Sequence, residues 1–282
     1  MSRSWLPTSP CGVGCLPRHP ERVPVALACG RWIALVAVAS SSVLLPVVRL
    51  LPSRPRTACH RMLARTALRG IGVRLDVSAP AGRVPPGTLV VAGHVSWLDV
   101  LVLAAVLPGR FVARADLLAW PLLGAVARRA GVIPIERGNL RGLPGTVAAA
   151  RDRLLAGDTV IVFPEGTTWC GQAFGRFRPA LFQAAVDAQR PVQPVLVEYV
   201  DAAGDHTTGP SFVGDDSIAA SIRRVLRSRG LRARVTLGAL QAPGGDRRDL
   251  AERCECEVRR GAAVGADRIL ARLEGRRRAR AA

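Results

Sequence analysis

Two short segments of this chain hold the residue types that could do chemistry. GHVSWLD, residues 93–99, sets an imidazole at His94 and a carboxylate five positions on at Asp99. VFPEGTTW, residues 162–169, ends an apolar run in Pro164-Glu165-Gly166-Thr167. A carboxylate that accepts from one ring nitrogen fixes the imidazole tautomer and stabilises the imidazolium once it forms. With no enzyme nucleophile beside it, such a base suits direct removal of a proton from a substrate hydroxyl as that oxygen attacks an activated carbonyl. The second segment closes a strand with a tight turn whose amides and carboxylate stand at the strand's C-terminal end. That edge is where ligands bind in open α/β sheets. Each segment also has a plain structural explanation. Ser96 and Asp99 read as a capping box, and Pro and Gly are ordinary strand-ending residues. The order F-P-E-G-T after an apolar strand is much rarer than H-x4-D.

The elements needed to position these groups are legible as periodic segments. Strands are expected at Val73–Val77, Thr88–Ala92, Arg110–Ala113, Val132–Ile135, Thr159–Phe163, Val192–Tyr199 and Arg232–Leu237. Helices are expected at Trp97–Val106, Pro121–Ala130, Gly145–Ala156, Pro179–Gln189, Ser217–Ser228 and over much of 247–273. This alternation predicts an α/β fold with a mixed, largely parallel sheet covered by helices. Gly93, which follows the strand before His94, should let neighbouring groups approach the ring.

Composition narrows the partners. The formal charge is +19, and all 40 basic residues are arginine. Without lysine there is no Walker A loop, Schiff base or lysine general base. Arginine, alanine and glycine also accumulate in GC-rich coding sequence, so only part of the charge reports on an anionic partner. Basic clusters at Arg223–Arg234 and Arg276–Arg280 lack interleaved aromatic residues and any nucleic-acid motif, so no nucleic-acid partner is expected. Gly70-Ile71-Gly72 lacks the third glycine of a dinucleotide fingerprint, and no G-x-S-x-G string marks a serine hydrolase. The seven cysteines form no disulfide framework. Cys11, Cys15 and His19 are spaced like metal ligands, but the remainder of a zinc module is missing, so no metal is expected.

Residues 32–48 are uncharged and apolar, and five arginines follow between 54 and 69. The run is short for a bilayer span and contains Pro46, so it fits a helix dipped into one leaflet or a marginal span. Ala37-Val38-Ala39 resembles a signal cleavage site, but Arg31 precedes the apolar core and that core continues past the cut. Membrane association facing the cytoplasm is the expectation.

GHVSWLD and FPEGT, taken in that order, resemble the glycerolipid acyltransferases typified by 1-acylglycerol-3-phosphate acyltransferase. Three further segments agree in order and spacing: FVARADLLAWPLLG, GVIPIERGN and RPVQPV. The resemblance spans roughly residues 85–215. It implies acyl transfer from acyl-CoA or acyl-carrier protein to a lysolipid hydroxyl, with 1-acyl-sn-glycerol-3-phosphate as the leading acceptor and no cofactor. His94 becomes the base and Asp99 its orienter. Arg137, Glu165, Gly166, Thr167, Arg114 and Arg178 become acceptor-site residues. The implied partners are the lysolipid, the thioester donor, an anionic membrane surface and an acyl-carrier protein. Two positions depart from the family pattern. Gly93 stands where the family has Asn, and Thr168-Trp169 stand where it has Arg-Ser. The second departure is also similar to lyso-ornithine-lipid acyltransferases of the same superfamily, which keeps that acceptor open. The resulting division is a poorly ordered N-terminus (1–22), a membrane-associated helical segment (23–72), a catalytic domain (73–240) and a C-terminal helical extension with a basic tail (241–282).

Overall fold

Strict two-residue alternation in the central strands dictates a sheet covered on both faces. In β2 (Leu89–Ala92), Val90 and Ala92 face one apolar cluster while Leu89 and Val91 face the other. In β5 (Val160–Val162), Ile161 joins the first cluster and its two neighbours the second. Strands buried on both faces are the signature of a parallel sheet sandwiched by helices. The computed structural model describes residues 6–18, 20–41, 43, 45–48, 50–78 and 84–262. His19 and the basic tail lie outside them.

The remaining strands are β1 (Arg74–Ser78), β3 (Arg110–Arg114), β4 (Ile133–Ile135), β6 (Val192–Val200) and β7 (Arg232–Leu237). The seven form one sheet in the order β1-β7-β6-β2-β5-β3-β4. β6, β2, β5, β3 and β4 run parallel, and β7 turns antiparallel on β6 with β1 parallel beside it. All seven expected strands are present, within a residue or two at each end. The prolines obey the ladder. Pro134 sits in edge strand β4, and Pro194 precedes the point where β6 begins to pair with β7.

On the first face lie α1 (Val25–Ser41), α3 (Ser53–Gly70), α4 (Leu98–Val106) and α8 (Ile218–Arg227), with the short α2 (Leu45–Val48) between the first two. On the second lie α6 (Leu143–Leu155), α7 (Phe182–Ala188) and α9 (247–262). α5 (Pro121–Ala130) starts with proline in its first turn and stops at Gly131, whose φ of 74° allows the chain to leave the helix.

The N-terminal third differs from the sequence expectation in three ways. The apolar run 32–48 is divided between α1 and α2, with Pro46 in the first turn of α2, where its missing N–H is harmless. No described helix is long and apolar enough to cross a membrane. Second, α3 is part of the α/β core, because its Ala64 and Leu68, with Ile71 just after it, join the cluster of β2 and α4. Arg61 and Arg65 donate to the carbonyls of Val106 and Ala105 at the end of α4, a use of basic side chains that sequence reading assigned to lipid. Arg31 likewise donates to Leu226 and Ser228 carbonyls at the end of α8. Third, the described part of 1–22 is packed rather than loose. Cys11 is buried, and Glu21 O accepts from the Arg229 N–H at 3.1 Å. Local composition could not register these contacts, which come from residues 40 or more positions away.

If α3 belongs to the core, Leu68→Ala should lower the unfolding free energy by about 2–5 kcal/mol in a denaturant titration. A loss below about 0.5 kcal/mol would place α3 outside the domain.

Candidate active site

Because β2 and β5 are parallel neighbours, their C-terminal turns lie side by side. One turn carries His94 and the other Glu165. β6, on the far side of β2, brings Tyr199 to the same edge. The two halves named by the sequence are thus in contact.

His94 Nδ1 lies 2.9 Å from Asp99 Oδ2. The same carboxylate oxygen accepts from the N–H groups of Val95 at 2.7 Å and Ser96 at 2.8 Å. The Tyr199 hydroxyl donates to Asp99 Oδ1 at 2.5 Å. Asp99 has no solvent exposure, so this anion depends wholly on these four donors. The Ser96 bond is one half of the expected capping box. Ser96 Oγ accepts from Leu98 instead of completing it. Burial and the adjacent Asp99 charge hold the Tyr199 phenol well above its ordinary range, so it stays a donor.

With Nδ1 donating to a carboxylate, Nε2 carries the free lone pair. The ring stacks on Phe163 at 4.0 Å between centroids, and its side chain keeps 15% exposure. It is shielded on one face yet reachable. The Trp169 N–H donates to His94 O at 2.7 Å, tying the two motifs together by backbone as well.

Glu165 departs from its expected role as a headgroup ligand. It is only 4% exposed; Oε2 accepts from the His94 N–H at 2.8 Å and Oε1 from the Gly175 N–H at 3.0 Å. Its carboxylate braces the two turns. Burial pushes its pKa up to about 7, against the pull of those two N–H groups. A Cβ on Gly93 would meet that carboxylate at an ordinary 3.7 Å, so close approach does not require glycine there. Gly166 does need its freedom, at φ 74° with Pro7 packed against it. Thr167 is half-buried beside it, and Arg178 is exposed, with its Cδ close to Gly166.

Arg114 ends β3, and Arg137 follows β4 by two residues, so both belong to the edge that holds His94. Three strand spacings separate β4 from β2, about 14 Å. Arg114 is paired with Asp116, its Nε 2.9 Å from Oδ1. Arg137 makes no hydrogen bond to another described residue, and burial followed by the neighbouring Arg114 charge lowers its pKa to about 10. Two guanidiniums with one carboxylate form a cationic place for an anion. A separate cavity of about 460 Å³, lined in part by Arg56, Arg110 and Ile133, includes no residue of the His94 or Glu165 segments.

Sequence reading missed Tyr199 and Phe163. A tyrosine late in an otherwise apolar strand was a usable signal, because a buried hydroxyl needs a partner. It also missed Cys170, whose sulfur lies with those of Cys11 and Cys15, all within 4.8 Å of one another.

The family model described as Acyltransferase matches residues 79–198. The chain is 34% identical over 207 residues to the 1-acyl-sn-glycerol-3-phosphate acyltransferase of Neisseria meningitidis, covering 73% of this chain and 81% of that protein. It is 34% identical over 230 residues to the lyso-ornithine lipid O-acyltransferase of Pseudomonas aeruginosa, covering 80% of this chain and 86% of the other. Its fold is similar to the crystal structure of the 1-acyl-sn-glycerophosphate acyltransferase of Thermotoga maritima, with a TM-score of 0.63 at 18% identity over 84% of this chain and 93% of that one.

The buried Glu165 has a consequence for stability. Its folded pKa of about 7 lies above the ordinary 4.5. Stability from this group is therefore complete below 4.5 and is lost as pH rises through about 7, where folding must hold a buried charge. Glu165→Gln should remove that part of the pH dependence, as read from denaturation midpoints across the window. An unchanged slope in the variant would show that Glu165 does not carry it.

Proposed function

The chain belongs to the acyltransferase family, and from that premise we propose that it moves a fatty acyl group from acyl-CoA or acyl-carrier protein to a lysolipid hydroxyl through His94. The observation that carries this reading is the 2.9 Å His94–Asp99 contact, set in a carboxylate cage and braced against the Glu165 turn. In the proposed step, Nε2 accepts the proton of the acceptor hydroxyl while its oxygen adds to the thioester carbonyl. The tetrahedral intermediate then expels the thiolate, and the imidazolium returns its proton to that sulfur. Asp99 stabilises the imidazolium between these events without taking the proton. The thiolate is a good leaving group, so the step needs no cofactor.

For the acceptor, Arg114 and Arg137 favour a phosphomonoester, and 1-acyl-sn-glycerol-3-phosphate is the leading substrate, with Arg178, Gly166 and Thr167 near its glycerol end. Lyso-ornithine lipid is the second reading. Thr168 occupies the position of the family's arginine, and its hydroxyl donates to Phe212 O at 2.6 Å, so it offers no cation there. We place the exposed Leu27, Ile33, Val36, Val47 and Leu50 against a bilayer, with basic residues such as Arg69 meeting anionic headgroups on the cytoplasmic side.

His94→Ala should lower acyl transfer by about 10²–10⁴-fold while the thermal unfolding midpoint and liposome binding stay near wild type. A panel of radiolabelled donor with lysophosphatidate and lyso-ornithine lipid identifies the acceptor by its product. Full activity of the variant on every acceptor would remove the base mechanism.

A further inference from the structure

Three cysteines that take no part in the proposed reaction converge beside the catalytic edge. Cys11 and Cys15 come from the N-terminal segment, and Cys170 follows the second motif directly. We propose that these three thiolates bind a zinc ion, which clamps the N-terminal segment over the Glu165-Gly166-Thr167 turn.

The site is built by the backbone around it. A 3-10 turn at Val13–Cys15, closed by the Cys15 N–H on Gly12 O at 2.9 Å, returns the second thiol toward the first. The Thr208 hydroxyl donates to Cys15 O at 2.6 Å, and the Ser211 hydroxyl donates to Cys170 O at 2.9 Å. Gly214 lets the chain at Gly12 approach closely; a Cβ there would lie 3.3 Å from Gly12 Cα. Gly171, at φ 83°, turns the chain so that the N–H groups of Gln172 and Ala173 point back at the Cys170 sulfur. Amide groups aimed at a sulfur can donate hydrogen bonds to it when it is bound to a metal.

Charge and geometry favour an ion over a disulfide. The sulfurs lie within 4.8 Å of one another, and all three cysteines are free. A disulfide joins two sulfurs and leaves the third without a use. Tetrahedral zinc at about 2.3 Å from each sulfur needs them about 3.8 Å apart, a shift of at most about 1 Å. Thiolates select zinc over magnesium or calcium, and three fall short of the four needed for an iron–sulfur cluster. Cys11 and Cys170 are nearly inaccessible and Cys15 is half-buried, which leaves the fourth tetrahedral position on the Cys15 side for water or another donor.

The consequence reaches the second motif. Pro7, four residues before Cys11, lies against Gly166, where an added Cβ would come 2.7 Å from its ring. Cys170 follows Trp169, which is bonded to the His94 carbonyl. A clamp at the three sulfurs therefore holds both the cover and the loop of the second motif, independently of which lysolipid is acylated.

The test uses the full-length chain purified without chelator. Elemental analysis should give about one zinc per chain, and cobalt(II) substitution should give an intense thiolate-to-metal charge-transfer band in the near ultraviolet. Cys11→Ser, Cys15→Ser and Cys170→Ser should each lose both signals, while Cys29→Ser and Cys59→Ser keep them. If a serine variant fails to fold, the wild-type zinc content and cobalt spectrum decide alone. Retention of less than about a tenth of an equivalent after dialysis against zinc would overturn the proposal. So would a disulfide between any two of the three in protein kept under nitrogen.

Discussion

A carboxylate with no access to solvent is the constraint around which this edge of the sheet is organised. Two backbone amides, a tyrosine hydroxyl and the imidazole all donate to the buried Asp99 carboxylate. Hydrogen bonds to a charged group contribute about 1.5–3 kcal/mol each, and losing one leaves a buried donor or charge uncompensated. Those donors come from the turn after β2 and the far end of β6, while Asp99 itself lies in the first turn of α4. The anion therefore fixes the relative placement of three elements as well as the orientation of one ring. In the proposed reading a single residue serves stability and chemistry at once, so its substitution should cost both.

Glu165 plays the matching part for the second turn. Its two oxygens hold amides at residues 94 and 175, and Gly175 leads to Phe177, whose N–H is held by Glu255 of α9 at 2.7 Å. α9 is thereby connected to the edge that holds His94 through a chain of carboxylate-to-amide bonds. The strand order makes this possible. Placing β5 between β2 and β3 puts the turn of the second motif between the base and the arginines at the ends of β3 and β4. In the proposed reading, acceptor recognition and proton transfer sit on separate strands of one sheet, so headgroup preference could change without disturbing the base.

Most of the fold could be read directly from the chain because its strands alternate and its helices are bounded by Pro121, Gly131 and Ser217. The His94–Asp99 pairing was equally readable, since five residues across a strand-to-helix turn leave little freedom. What eluded reading was long-range. Nothing near Glu165 announces that its carboxylate turns inward, because that depends on Gly175 folding back beneath it. Arg61 and Arg65 read as membrane charge until α4 is seen ending beside them. Arg224 belonged to a supposed basic patch, yet it is bonded to Asp216 and to the carbonyls of Gly209 and Ser211. Cys170 lies far along the chain from Cys15, beyond strands β1 to β5, so no local spacing rule could join them.

The central claim is that Asp99 holds His94 with its proton on Nδ1 and its lone pair on Nε2. The chain has four histidines, so nitrogen-15 spectra of selectively labelled protein, assigned by loss of one set in His94→Gln, report that tautomer directly. Above the imidazole titration, the account predicts a protonated Nδ1 and an unprotonated Nε2 for His94. A proton on Nε2 in that state would leave no base facing the acceptor and would contradict the account.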